Sequence, residues 1–460
     1  MGIPDNGRWG IQRKITHPKS FSSVCTVRKA IGDISENLNP EDDRPVIPLG
    51  HGDPSIFPCF RTPIVAEDAI VTAVRTAKNN GYAPSLGLPS ARSAVAEYLS
   101  REIPHKLSSS DVFITLGCLQ AIEVILSALN QPGVNVLFPR PGFSYYNVRA
   151  KLYGLEVRSF DLLPEKNWEI DLDRLESIVD GNTVAMVFIN PGNPNGSVYT
   201  YRHLQKLAVI ARKHGIIVIA DETYAHMTFG ETPFVPMAAF RPIVPVITLG
   251  SLSKRWAVPG WRLGWLALHD NNRVLADTGL VDSIEEILHV VPDPPTFIQA
   301  AVPEILEKTE EDFFKRTKSI VRQAADMCYD ELNEIYCFTC YDRPQASMFM
   351  MVRVHVDMLL GVEDDSEFCM KLAKEESVIV LPGEALSFIR VLFELFFTWF
   401  ACRFCYGYEE LDSDYICPQS FPSSRRSSKD SVLLQQSQKA YFEGYLLAFI
   451  YHCYSYLYTL

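Results

Sequence analysis

From Asp111 onward the chain alternates short apolar runs with helical stretches, and this alternation limits the fold more than any other feature. The runs are 112–115, 134–138, 184–189, 216–220, 244–249 and 263–268. Continuous apolar runs of this length, separated by helical segments, predict a parallel sheet covered on both faces, an α/β architecture. Such sheets bind ligands in the crevice beyond the carboxyl ends of their strands. The polar residues fall at those ends: Gly117-Cys118, Pro141 to Phe143, Asn190 to Gly196, Asp221 to Tyr224, and Lys254.

The fifth of these ends carries the most chemistry. Between the runs 244–249 and 263–268 lie Ser251, Ser253, Lys254, a Pro259-Gly260 turn and Arg262. Two buried strands hold such a turn rigidly, so Lys254 and Arg262 can share one pocket. Desolvation lowers a lysine pKa, and the neutral amine can form a Schiff base with an aldehyde. Ser251, Ser253 and Arg262 suit a phosphate, because hydroxyls donate and guanidinium binds oxyanions bidentately. An aldehyde and a phosphate on one ligand suggest pyridoxal 5′-phosphate. Alone, the stretch would read as a basic surface turn.

The other strand ends add to it. Asp221 closes the run 216–220, where an acid would keep the ring nitrogen of such a cofactor protonated; alone it reads equally as a helix N-cap. Tyr224 and Asn193 could bond the cofactor's phenolic oxygen, although Asn193 by itself is a turn residue. Cys118 and Leu119 open a helix whose exposed amides suit a phosphate. Phe143 could stack on the ring, or be a core aromatic.

At 460 residues the chain calls for more than one core. The net charge of −12 argues against nucleic acid or an anionic membrane as partner. Eleven cysteines, odd in number and scattered, with no apolar core segment in the first twenty residues, suggest reduced thiols and a cytoplasmic protein. The pairs Cys337/Cys340 and Cys402/Cys405 lack the glycines of a zinc knuckle, and no metal is expected.

The predicted layout is an arm over 1–44 with one helix, a small domain from 45–79 and 306–385, and a large domain over 80–305. Helices are predicted over 64–78, 89–101, 303–336 and 366–376, with strands at 46–49, 347–354 and 378–381. Residues 386–460 form a divergent tail. It holds an aromatic run over 391–402, a serine-rich basic stretch over 420–431, and tyrosine-rich text over 441–460. The last is long enough to span a membrane, but Glu443, His452 and its many tyrosines argue against that.

Taken together, Gly50 to Ser55, Phe57-Pro-Cys-Phe-Arg-Thr62, Tyr82-Ala-Pro-Ser85, Pro139 to Ser144, Asn190–Gly196, Asp221 to Tyr224 and Ser251 to Trp265 resemble the tyrosine aminotransferase family. The run from Phe57 resembles its plant branch, which includes nicotianamine aminotransferases and carbon–sulfur lyases. The resemblance covers about residues 20–384. It implies a fold-type I, pyridoxal-phosphate-dependent homodimer, with a mixed, mostly parallel sheet in a large domain and a smaller α+β domain. It implies Lys254 as Schiff-base lysine and proton carrier, Asp221 on the ring nitrogen, Tyr224 and Asn193 on the phenolic oxygen, and Phe143 on the ring. Ser251, Ser253, Arg262, Cys118 and Leu119 would hold the phosphate, with Tyr82 reaching the phosphate of the neighbouring subunit. Gly52 would meet the substrate carboxylate, with Asn193 also counted among the substrate-binding residues. Leu119 stands where the family commonly carries Ser or Thr, which removes one phosphate hydroxyl.

The resemblance fades after Leu381-Pro-Gly383. The family continues, about ten residues on, with a Trp-Leu-Arg-Ile/Val-x-Phe strand and a closing helix, and that arginine clamps the substrate carboxylate. Arg390 and Arg403 are the nearest arginines and lack that spacing and those flanks. A missing strand would uncover part of the small domain's core. The tail's texture resembles translated non-coding sequence or an alternative splice product. The implied activity is transamination of L-tyrosine or a related aromatic amino acid with a 2-oxo acid, impaired by loss of that arginine. The alternatives are a carbon–sulfur lyase on cysteine conjugates, a nicotianamine aminotransferase, or a catalytically weak, cofactor-binding dimer partner.

Overall fold

The computed structural model describes residues 26–359 and 361–383, together with the backbone of 392–396. Two sheets organise them. The larger has the order β1-β8-β7-β6-β5-β2-β3-β4, built from β1 (Val112–Thr115), β2 (Asn135–Arg140), β3 (Glu156–Leu163), β4 (Glu169–Ile170), β5 (Thr183–Ile189), β6 (Ile217–Asp221), β7 (Val246–Ser251) and β8 (Gly264–His269). Pairing is parallel from β7 through β6, β5 and β2 to β3. β8 runs antiparallel to both β1 and β7, which leaves β1 pointing the same way as β7. The carboxyl ends of β1, β2, β5, β6 and β7 therefore meet at one rim.

Strand periodicity divides the side chains between the two faces. Val136, Ile219, Ile247 and Leu249 pack under the helices Cys118–Ala128 and Leu280–Leu288. Leu137, Val218, Ala220 and Val246 face the helix Tyr201–His214 on the other side. A fully buried aliphatic side chain contributes about 1.5–3 kcal/mol, so a one-residue slip in any of these strands is heavily disfavoured.

β3 and β4 lie outside the six apolar runs. In β3 the charged residues Glu156, Arg158 and Asp161 interrupt the apolar positions. They are satisfied at the sheet margin: Arg158 pairs with Glu156 and Asp180, and Arg140 of β2 with Asp161 directly opposite.

The smaller sheet, order β11-β12-β10-β9, is wholly antiparallel: β9 (Phe338–Cys340), β10 (Phe349–Val354), β11 (Leu381–Pro382) and β12 (Leu392–Phe396). Its core joins Ile47, Phe57, Ile320, Leu332, Phe349, Val352, Phe368 and Leu372, and takes in Ile34 of the helix Val27–Ser35. The expected strands over 46–49 and 378–381 shrink to one bridge, Ile47 with Val378, followed by β11.

Two expectations need correction. The single helix over 303–336 is two helices, Thr296–Lys308 and Glu311–Asn333, with Pro303 inside the first. Thr309 between them is extended; its hydroxyl bonds the Ile305 carbonyl at 2.7 Å and accepts the indole N–H of Trp256 at 3.0 Å. The closing strand expected to be missing is also present as backbone: β12 pairs with β10 and β11. The rest of the tail lies outside the described residues.

Cys337 and Cys340 are buried thiols, pushed up by desolvation to about 11 and about 12. No group of three or more His, Cys, Asp or Glu placed to hold a metal occurs among the described residues, and Cys402 and Cys405 fall outside them. Cys59 is disulfide-bonded, so the all-thiol expectation fails there. Among the described residues no helix is long and apolar enough to cross a membrane.

Candidate active site

β7 and β8 are antiparallel neighbours, with Ser251 opposite Gly264, so the intervening segment is a closed loop at the rim. Backbone bonds fix it: Leu252 N to Leu263 O, Trp256 N to Leu252 O and Val258 N to Ser253 O. Ala257 and Arg262 take left-handed conformations, φ 55° and 52°, each costing roughly 1–3 kcal/mol that the surrounding bonds must offset. Lys254 is thereby turned inward. Its Nζ donates to the Gly52 carbonyl and lies 5.9 Å from the centroid of the Tyr224 ring. Tyr224 is buried and meets Phe349 edge-on at 5.5 Å. Gly52, Tyr224, Phe349 and Lys254 thus converge, and Phe349 of β10 brings the second sheet into the site.

Arg262 reaches across to the end of β1. Its guanidinium donates to Pro259 O at 2.9 Å and Leu116 O at 2.8 Å, leaving three of five donors for an anion. It lies against Gly117, where a Cβ would come within 2.5 Å of Nη2 and where φ is +73°. Only glycine meets both demands without strain. Gly117 is the N-cap of the helix Cys118–Ala128 and gives it no side-chain cap. The amides of Cys118 and Leu119 therefore open the helix beside a guanidinium, an anion seat by geometry and dipole. Ser251 and Ser253 are buried next to it, and the Ser251 hydroxyl has no partner among the described residues.

Asp221 ends β6, buried, in register with Ile189 and Leu249. Tyr146 donates to its Oδ2 at 2.8 Å, and the Thr223 hydroxyl and amide to its Oδ1 at 2.7 and 3.2 Å. Burial raises the carboxyl's pKa, and these bonds oppose the rise. A cationic ring nitrogen beside it would favour the ionised form. Asn193 is half-buried on the loop after β5, between the cis peptides Asn190–Pro191 and Asn193–Pro194. Phe143 is half-buried and stacked on Tyr145 at 5.9 Å, edge-on to Tyr146 at 6.4 Å. Tyr82 stands fully exposed.

Sequence reasoning missed Tyr146, Thr223 and Phe349. Thr223 sits two residues after Asp221, a spacing that often marks a turn bond. Tyr146 and Phe349 carry no signal that separates them from core aromatics.

A family model described as aminotransferase class I and II matches residues 44–396. The chain belongs to the class I and II aminotransferases. Nicotianamine aminotransferase 1 of Oryza sativa subsp. japonica is 52% identical over 373 residues, 80% of this chain and 76% of that protein. An S-alkyl-thiohydroximate lyase of Arabidopsis thaliana is 48% identical over 366 residues, 80% and 79% of the two chains. Among solved structures, tyrosine aminotransferase from Leishmania infantum superposes with a TM-score of 0.77 at 31% identity, covering 84% of this chain and 94% of that one.

Enzymes of this family depend on pyridoxal 5′-phosphate, and the residues present fit that group. An inward lysine amine suits its aldehyde, a buried carboxylate its ring nitrogen, and the orphaned Ser251 hydroxyl with the uncapped helix and Arg262 its phosphate. When bound, the cofactor supplies an electron sink for a carbanion formed at the substrate α-carbon.

Proposed function

We propose that this aminotransferase moves the amino group of L-tyrosine or a related aromatic amino acid to a 2-oxo acid. The reading rests on the Lys254 amine, held between the Gly52 carbonyl and the Tyr224 ring at the rim that also holds Asp221. Lys254 takes the α-proton of the substrate and returns it one carbon away, as general base and then general acid. Asp221, oriented by Tyr146 and Thr223, keeps the cofactor's ring nitrogen protonated. Tyr224 and Asn193 steady its phenolic oxygen, while Arg262, Ser251, Ser253 and the amides of Cys118 and Leu119 anchor its phosphate. Phe143 covers the ring, and the Gly52 backbone meets the substrate carboxylate. The Tyr224–Phe349 pair gives the site an aromatic wall, and the tyrosine aminotransferase likeness supports an aromatic donor.

The working unit is a homodimer. The helix Ile64–Arg75 buries only Ala66, Ala69 and Ala73 and turns Ile64, Val71 and Val74 outward. With exposed Tyr82 nearby in sequence, this is an apolar face suited to a second copy, across which Tyr82 would reach the partner's phosphate.

Carboxylate affinity is the weak point. Arg390 lies seven residues after Gly383 instead of about ten. Loss of a buried arginine–carboxylate contact lowers affinity about 30- to several-thousand-fold, from roughly 2–5 kcal/mol. The test is turnover of L-tyrosine by this chain and by a chimera carrying a Trp-Leu-Arg-containing C-terminus. A gain of 30-fold or more in the chimera's kcat/KM is expected; equal values refute the impairment.

Relatives named as lyase and nicotianamine aminotransferase support a second reading. Product analysis separates them: 2-oxo acid from L-tyrosine favours the first, and thiol with pyruvate from a cysteine conjugate favours the lyase. Spectral change with nicotianamine alone favours the nicotianamine aminotransferase.

A further inference from the structure

Phe143 stands just before Ser144, the N-cap of the helix Tyr145–Leu152, and Ser144 makes no side-chain cap bond. The Phe143 carbonyl accepts the Tyr146 amide at 3.2 Å, which fixes its backbone. Its half-buried ring carries no polar atom, so packing alone orients it. Two of the rings it meets open the helix that follows. Tyr145 stacks on it at 5.9 Å with 20° between the planes, and Tyr146 meets it edge-on at 6.4 Å and 85°. Both are favourable ring-pair geometries. Tyr146 is buried, and its hydroxyl is committed to Asp221 at 2.8 Å. Tyr145 is only half-buried, and its orientation needs a further restraint.

That restraint is a closed triangle. The Tyr145 hydroxyl donates to Glu123 Oε1. The same oxygen takes Arg149 Nη2 at 2.6 Å, and the Arg149 guanidinium lies 5.0 Å from the centroid of the Tyr145 ring. Arg149 follows Tyr145 by four residues, so the two share one face of their helix. Glu123 belongs to the helix Cys118–Ala128, whose first amides form the anion seat. Burial and the bond to Glu123 hold the Tyr145 phenol at about 12, so it stays a donor at any ordinary working pH. The two charged side chains are each about a third exposed, and ion pairs so placed add little stability. What the triangle supplies is orientation: turning Tyr145 breaks its hydroxyl bond, its cation–π contact and its stack together.

We propose that Tyr145, clamped by Glu123 and Arg149, is a positioning residue for the cofactor, holding the Phe143 ring in the plane from which it covers the pyridine. The proposal rests on the reading of Phe143 as that cover. Tyr145 touches neither cofactor nor substrate and acts only through Phe143. The adjacent Tyr146 orients Asp221, so one helix start sets both the cover on the face of the ring and the acid at its nitrogen. Glu123 ties that start to the helix that seats the phosphate.

The experiment loads the full chain with pyridoxal 5′-phosphate and reads visible circular dichroism per bound cofactor, a signal set by how the ring is seated. The dissociation constant of the cofactor is measured on the cofactor-free chain by fluorescence titration. Tyr145→Leu is expected to reduce the dichroism by about half or more and to weaken binding about 2- to 10-fold, the size of one lost ring pair. Tyr145→Phe and Glu123→Gln keep the ring and loosen the clamp, so each is expected to reduce the dichroism by a smaller amount. Phe143→Leu is the control for the cover itself. If Phe143→Leu reduces the signal while Tyr145→Leu leaves it at wild-type strength, the positioning role is refuted and the cover stands. If Tyr145→Leu does not fold, unchanged dichroism in both Tyr145→Phe and Glu123→Gln refutes the clamp. If Phe143→Leu itself changes neither signal nor affinity, the reading of Phe143 as the cover fails.

Discussion

The two sides of this active site are built differently. The cofactor side lies at the rim of the large sheet, where five strands end together and each end carries one residue proposed for the site, in chain order Gly117, Phe143, Asn193, Asp221 and Lys254. Every one of those ends is tied to a buried strand, and Arg262 closes the gap between β7 and β1 through Leu116 O. The substrate side leans on the smaller sheet. There Phe349 of β10 reaches Tyr224 and β12 completes the pairing; in the proposed function the carboxylate grip would fall on chain beyond Gly383. On the proposed function, the cofactor and the substrate would be gripped from different cores, so the two grips can be weakened separately.

The largest effect comes from Lys254→Ala, within the cofactor side. Turnover should fall by at least roughly 10²–10⁴-fold, the range for a lost general base, while phosphate affinity of the cofactor-free chain changes less than about threefold. Comparable losses in both would show that the lysine and the phosphate seat are not independent. Arg262→Gln attacks the cofactor side directly and should weaken phosphate binding about 30-fold or more; an effect confined to L-tyrosine affinity would break the comparison. Gly117→Ala forces a Cβ against Arg262 at a positive φ, so denaturant unfolding should show a loss of about 1–3 kcal/mol.

Smaller effects sharpen the picture further. Glu222 has its folded pKa raised to about 8 from 4.5. Its contribution to stability is therefore complete below about pH 4.5 and is lost as pH rises through 8. Urea midpoints of the cofactor-free chain should fall between pH 6 and pH 9, and less steeply in Glu222→Gln. Parallel profiles would remove Glu222 as the cause. On the substrate side, Arg390→Gln should move KM for L-tyrosine by less than about threefold. A tenfold rise would show that Arg390 already grips the carboxylate.

Much of the cofactor side is legible in the sequence because its strands are buried on both faces. The apolar run 112–115 coincides with β1, since every residue in that strand is buried. β3 leaves no such run, because Glu156, Arg158 and Asp161 interrupt its apolar positions and are satisfied only by tertiary ion pairs. The break at Thr309 is hidden for a similar reason: amphipathic spacing runs on through it, and Trp256, fifty-three residues away, docks there. Tyr146 is unreadable because its hydrogen bond to Asp221 joins positions seventy-five residues apart. Local pattern finds the strands and their polar ends; long-range packing chooses the partners.

The central claim is most directly tested by treating the pyridoxal-phosphate-loaded protein with borohydride and mapping the modified peptide by mass spectrometry. The account predicts one phosphopyridoxyl adduct, on Lys254, that is lost in Lys254→Ala and reduced in Arg262→Gln. An adduct on another lysine, or no adduct in a protein that binds the cofactor, would contradict it.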